Sequence, residues 1–266
     1  MLEHKSISTV RLFDNVNIPP DHPRYKSLVT RERLSEMVDK GLVTQTGLIS
    51  HGRGEAFDYM MGEKTLHPSL KAERAAAAYL LKAKNPVVCV NGNAAALDPK
   101  NLIALAKEVP AKIEVNIFHR TEKRMELLID HMEENGANGV LGREPDARIP
   151  GLTSDRALCT KAGIYNSDVI LVPIEDGDRA KALADMGKIV ISIDLNPLSR
   201  TSRTATVSIS DEMTRALENI IRFVKEMRGR PNDIEEAIRT FSNESNRKEI
   251  IDEICSSLRS EFKGGV

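Results

Sequence analysis

Short runs rich in Val and Ile recur along the middle of the chain: PVVCV at 86–90, KIEVNIF at 112–118, DVILVP at 168–173 and KIVISID at 188–194. Each has strand length and little alternation, which is the pattern of a strand covered on both faces. Between them the apolar spacing changes to that of helices. Asp98 followed by Pro99 opens one helix by cap and first-turn chemistry, and Thr121 precedes another that runs to about Asn135. Residues 178–187 link the last two runs, and a further strand near 205–210 leads into a long helix from Asp211 to about Met227. Strands alternating with helices predict an α/β fold, with a Rossmann-like, doubly wound, mostly parallel sheet over 86–228.

The flanks read differently. Residues 1–17 form a loosely ordered extension, and IPPDHPRY marks the entry to the fold, because a residue before proline is pushed out of helical geometry. Residues 18–85 make a helical lead-in: Leu28, Leu34, Met37 and Val38 share one face before the stop at Gly41, and 67–84 is rich in alanine and leucine. Within it HGRGEAFDY, 51–59, packs two glycines, a histidine, an arginine and two carboxylates without apolar periodicity. That composition suits a cradle for an anion and equally a turn. Residues 229–266 are charged, amphipathic and helical in pattern.

Composition narrows the function classes. The chain has 266 residues, enough for one large domain or two modest ones. Its 38 basic and 39 acidic residues leave a formal charge of -1, hence no global field toward nucleic acid or an anionic membrane, and any basic site is local. Four Tyr, six Phe and no Trp offer little stacking surface for bases. Cys89, Cys159 and Cys255 lack CxxC spacing and read as buried, reduced thiols. Neither a secretory leader nor a membrane-length apolar stretch is present, so a cytoplasmic protein is expected.

In an open parallel sheet, ligands bind outside the carboxyl ends of the strands. The residues there are Asn91–Asn93 (NGN), His119–Arg124 (HRTEKR), Ile174–Asp178 (IEDGD) and Leu195–Arg203 (LNPLSRTSR), all polar, charged or glycine-bearing. His119, Arg120, Arg124, Arg200 and Arg203 suit a polyanion, because guanidinium meets phosphate or carboxylate bidentately. Asp194 stands where an acidic residue accepts from ribose hydroxyls. Asp176 and Asp178 are candidate magnesium ligands, as oxygen donors. No GxGxxG and no GxxxxGK[ST] occurs, so neither a standard dinucleotide site nor a Walker loop is present. Plainer readings stand beside these: NGN as a turn, EDGD as a solvated turn with a helix cap, and HRTEKR as a capped helix start. Two other functions fit the same pattern, an NAD(P)-dependent oxidoreductase and a non-enzymatic nucleotide-sensing module.

IPPDHPRYKSLVTRERL, GLISHGRGEAFDYMMGEKT, VNGNAAAL, EVNIFHRTEKR, IPGLTSDRA, DVILVPIEDGDRAKAL and KIVISIDLNPLSRTSRTATVSI together resemble the archaeal phosphopantothenate synthetases, in order from Ile18 to about Met227. The resemblance implies a homodimeric, ATP-dependent ligase of coenzyme A biosynthesis. It would join 4-phosphopantoate to beta-alanine and release AMP and pyrophosphate through a phosphopantoyl adenylate. The residues alone leave adenylate and acyl phosphate open. Carried onto matching positions, the family's ATP contacts are Arg31, Arg53, Asp194, Leu195, Asn196, Arg200, Thr201, Glu212 and Met213. At Glu212 this chain departs from the family's usual Asn and loses a side-chain donor. On this reading Asn91, His119, Arg120 and Arg124 hold the substrate, the last three taking its phosphate. His51, Arg53 and Glu55 are the catalytic candidates, with His51 or Glu55 as base or amine ligand.

Overall fold

The computed structural model describes residues 18–260. Three helices lead in: α1 (Tyr25–Asp39), α2 (Gln45–Met61) and α3 (His67–Lys82). The central part runs β1 (Pro86–Val90), α4 (Gly92–Leu97), α5 (Pro99–Glu108), β2 (Lys112–Val115), α6 (Glu122–Glu134), β3 (Ala147–Arg148) and β4 (Leu158–Cys159). It continues through β5 (Val169–Pro173), α7 (Gly177–Asp185), β6 (Ile189–Ile193), α8 (Arg200–Thr204), β7 (Val207–Ile209) and α9 (Met213–Met227). Two helices follow, α10 (Pro231–Thr240) and α11 (Asn243–Ser260).

The main sheet is parallel throughout, in the order β2-β1-β5-β6-β7. From β1 the chain goes outward to β2 and then returns to lay β5 on the other side of β1. That reversal is the topological switch point, where a crevice opens above the carboxyl ends of β1 and β5. The near-continuous apolar runs are explained by the two layers. Val88 and Val90 face a core shared with α3, α5 and α9, while Val87 and Cys89 face a second core built with Ala180 and Leu183 of α7. Leu34 of α1 and Ala75–Ala78 of α3 belong to the first core, so the lead-in helices share the sheet's interior. The alanines of α3 let it lie close along α9.

The expected strands and helices appear with shifted ends; the third run, for example, pairs as Val169–Pro173 and the last strand as Val207–Ile209. Asp98 and Thr121 cap α5 and α6 as expected, accepting from Asn101 N and Arg124 N. The expectation of a turn or loop cradle at 51–59 is corrected: the whole segment lies inside α2. Thr44 caps that helix by accepting from Gly47 N at 3.0 Å, and Gly62 ends it at φ 80. Apolar periodicity is missing because one face of α2 borders a cavity rather than the core. The expectation of three buried thiols holds for Cys89 and Cys159 but not for Cys255, which is exposed on α11. Residues 1–17 lie outside the described residues.

Two features had no counterpart in the pattern. The small antiparallel pair β3–β4 is tied to β2 by Glu114, whose buried carboxylate accepts from Thr160 N, Thr160 Oγ1 and Ile164 N at 2.7–2.9 Å. The helical tail is broken after Thr240, and Asn243 docks on the sheet edge: its Oδ1 accepts from Ser208 N, and its Nδ2 donates to Ser202 O and Ala205 O.

Candidate functional site

A cavity of about 620 Å³ lies at the carboxyl edge of the sheet, across the switch point, within the range of small-ligand sites. Helix α2 roofs it. Gly47, Ser50, His51, Gly54 and Phe57 recur every three or four residues and line it, so one helical face spans the cavity's length. The first turn of α2 meets the β1 end: Asn93 Nδ2 donates to Gly47 O at 2.9 Å, and a Cβ on Gly47 would stand 2.6 Å from Asn93 Oδ1. Farther along, Gly54 lies against Leu195 beyond β6.

At the switch point the side chains are largely committed to one another. Asn91 accepts from Ala94 N and donates to Pro173 O and Ile174 O, which clamps the ends of β1 and β5 together. Ile174 has φ 54, an uncommon backbone conformation for a β-branched residue. Next to it Glu175 is fully buried between Arg156 and Arg179. Arg156 Nη1 donates to both of its oxygens at 2.7 and 2.9 Å, and Arg179 Nη2 donates to Oε2. Burial alone would raise the Glu175 pKa, but the two guanidiniums outweigh it and hold the carboxyl at about 2. Arg156, reaching in from the turn at Asp155–Ala157, borders the cavity.

The β6–β7 end gathers Asp194, Leu195, Asn196, Arg200, Thr201, Glu212 and Met213 along the cavity wall. Asp194 accepts from Asn196 N at 3.0 Å and from Ser199 Oγ; burial raises its pKa. Thr201 donates to Glu175 O at 2.9 Å, and Asn196 accepts from Leu198 N. The Glu212 side chain caps α9 through Oε2, accepting from Thr214 N and Arg215 N, while its Oε1 is buried without a partner among the described residues. Arg53 borders the same wall and acts electrostatically on Asp194. Among the described residues it has no hydrogen-bonded or ion-pair partner.

His51 borders the middle of the cavity and is 9% exposed, with its Nε2 buried and lacking a partner among the described residues. Burial lowers its pKa, partly opposed by the nearby Glu55 carboxylate, so the imidazole is neutral near neutral pH. Glu55 itself does not reach the cavity. It pairs with Arg31 at 3.1 Å, so both expected site residues lie behind His51.

The other expected ligands divide. His119 borders the cavity beside Phe118. Arg124 borders it too, but its guanidinium donates to the carbonyls of Gly41, His119 and Leu42. Arg120 turns away and donates to Gly142 O and Arg143 O. Asp176 borders the cavity, capping α7 and pairing with Arg156 at 3.3 Å. Asp178 pairs with Arg200 at the surface, so the two aspartates do not converge on one point. No three His, Cys, Asp or Glu side chains gather as a metal site among the described residues. Arg156, Thr44 and Thr46 border the cavity without having been singled out. They lie on turns and a helix start, where no strand end marked them.

This is a doubly wound α/β protein with a ligand cavity roofed by an N-terminal helix at its switch point. Residues 68–257 match the family described as phosphopantothenate/pantothenate synthetase. The protein named 4-phosphopantoate--beta-alanine ligase in Methanosarcina mazei is 51% identical over 244 residues, 91% of this chain and 96% of that one. Its namesake in Methanospirillum hungatei is 53% identical over 210 residues, 79% and 86% of the two chains. That of Thermococcus onnurineus is 44% identical over 253 residues, 94% and 97%. The chain belongs to the phosphopantothenate/pantothenate synthetase family. No helix among the described residues is long and apolar enough to cross a membrane.

Proposed function

We propose that the protein is a ligase that couples ATP cleavage to amide formation between 4-phosphopantoate and beta-alanine, in the cytoplasm and as a homodimer. The observation that carries this reading is Arg53, an unpartnered cation on the cavity wall opposite Asp194 and the strand ends of β6 and β7. A guanidinium on a cavity wall without a protein partner favours an anionic ligand. In this reading the nucleotide occupies the end bounded by Asp194, Asn196, Thr201 and Met213, with its phosphates toward Arg53. Arg31 supports the site through Glu55 rather than by direct contact.

The acid's carboxylate attacks the α-phosphorus, forming an acyl adenylate and expelling pyrophosphate; the amine of beta-alanine then displaces AMP. Charge builds on phosphoryl oxygens in the first step, so the protein contributes alignment and cationic stabilisation by Arg53. The second step needs a free amine, because an ammonium has no lone pair. Neutral His51, with its unpartnered Nε2, serves as base there. A magnesium ion bound with the triphosphate would neutralise phosphate charge, and Asp176 on the cavity wall is the side chain that would meet it.

Incubation with ATP, 4-phosphopantoate and beta-alanine tests the reading. AMP and pyrophosphate should form in step with the amide. ADP and phosphate would replace the adenylate by an acyl phosphate, and absence of both pairs would refute the ligase.

A further inference from the structure

The cavity wall beyond β6 is a loop, residues 194–199, that is fastened from outside by the last helix. Asp194 accepts from Asn196 N and from Ser199 Oγ, Asn196 Oδ1 accepts from Leu198 N, and Ser202 Oγ donates to Asn196 O. Among the described residues, the hydrogen bonds of 195–199 stay within the segment 194–203, with one exception. Arg247 of α11 donates from Nε to Pro197 O at 2.7 Å. Its side chain is half-buried there, and a charged donor makes one of the stronger hydrogen bonds to a backbone carbonyl.

Apolar packing joins the same helix to the same loop. Ile250 and Ile254 are buried with Met61 and Leu66 in a small cluster separate from the two sheet cores. Leu195 of the loop and Phe57 of α2 pack against that cluster, and both also border the cavity. Asn243, Arg247, Ile250 and Ile254 follow one another at helical spacing, so a single face of α11 grips the sheet edge, the loop and the roof helix in turn. No residue of α11 borders the cavity itself.

We propose that Arg247 is a positioning residue for the nucleotide: by anchoring Pro197 it fixes the loop on which Asp194 and Asn196 stand, and α11 thereby sets affinity for ATP without touching it. The inference rests on the ligase reading, which puts the nucleotide against this loop, and deepens it. A loop whose other hydrogen bonds are internal can shift as a unit, and Arg247 is the polar tie that prevents this. The effect is confined to one end of the cavity, because α11 reaches the loop and the adjoining part of α2 but not Asn91, His119 or Arg124 at the other end. Misplacing Asp194 and Asn196 therefore weakens the nucleotide and leaves the acid unaffected.

Arg247→Ala, Arg247→Lys and Glu249→Gln are compared with the parent as full chains. Calorimetry measures the binding of ATP and of 4-phosphopantoate, and amide hydrogen exchange is followed on peptides covering 195–199. Arg247→Ala should bind ATP about tenfold more weakly, the scale of one lost charge-assisted hydrogen bond, and 4-phosphopantoate within about twofold of the parent. Exchange at 195–199 should be faster in that variant. Arg247→Lys keeps a cationic donor and should recover most of the ATP affinity. Glu249→Gln breaks only the exposed pair between α11 and Lys71 of α3 and should match the parent throughout. Equal weakening of both ligands, unchanged ATP affinity in Arg247→Ala, or the same loss in Glu249→Gln would each overturn the assignment. If the parent binds no ATP, the ligase reading fails and exchange alone decides the anchor: faster exchange in Arg247→Ala upholds it, and unchanged exchange overturns it.

Discussion

Glu175 offers the sharpest test of how the switch point is held together. Its carboxylate is fully buried, receives Arg156 at 2.7 and 2.9 Å and Arg179 on its other side, and accepts from Asp176 N at 2.9 Å. Glu175→Gln keeps the shape and removes the charge, leaving Arg179, 1% exposed, without a counter-ion and Arg156, 9% exposed, with only Asp176 at 3.3 Å. Breaking a buried ion pair in this way costs about 3–5 kcal/mol. An independent route gives a similar figure. The carboxyl is held at about 2 against an ordinary 4.5, and that gap corresponds to roughly 3 kcal/mol.

The sign of the pH dependence follows. The folded pKa is depressed, so the stabilisation is complete above about 4.5 and is lost as pH falls toward about 2. Urea unfolding of parent and Glu175→Gln at pH 7 should differ by about 3 kcal/mol or more, and well over half of that difference should vanish by about pH 3. A difference below about 1 kcal/mol at pH 7, or one that stays constant down to pH 3, would refute the account of Glu175 as an ionised hub.

Two further outcomes follow from the cavity wall. Arg53→Ala should raise the KM for ATP by about 10- to 100-fold with no loss of melting temperature, because the side chain has no protein partner to abandon; initial rates and a thermal scan check both halves. His51→Asn should lower kcat and abolish the acidic limb of its pH profile, which in the parent lies below the ordinary histidine value of 6.5 because burial lowers the His51 pKa; a limb that persists unchanged in the variant would assign it elsewhere.

The amino-acid sequence by itself determined the layers. Runs such as PVVCV and DVILVP are apolar on both alternating sets of positions, and only a strand sandwiched between helices satisfies that pattern. The caps at Asp98 and Thr121 were equally legible, because a side-chain oxygen three residues before an amide is a local device. Strand ends drew the eye to Asp194, Asn196, Arg200 and Thr201, which the cavity does bring together.

What only the tertiary structure decided is which polar groups remain free. Asn91, Arg120 and Arg124 look like ligands in a linear reading, but backbone carbonyls distant in sequence claim their donors: Pro173, Gly142 and Leu42. Glu55 and His51 are four residues apart on one helix, yet one pairs with Arg31 outside the cavity while the other is buried beside it. HGRGEAFDY concealed a helix because a face that borders a ligand cavity carries none of the apolar spacing by which helices are recognised. Hydrophobic periodicity records what faces a core; the partners of a charged side chain are fixed only when distant segments meet.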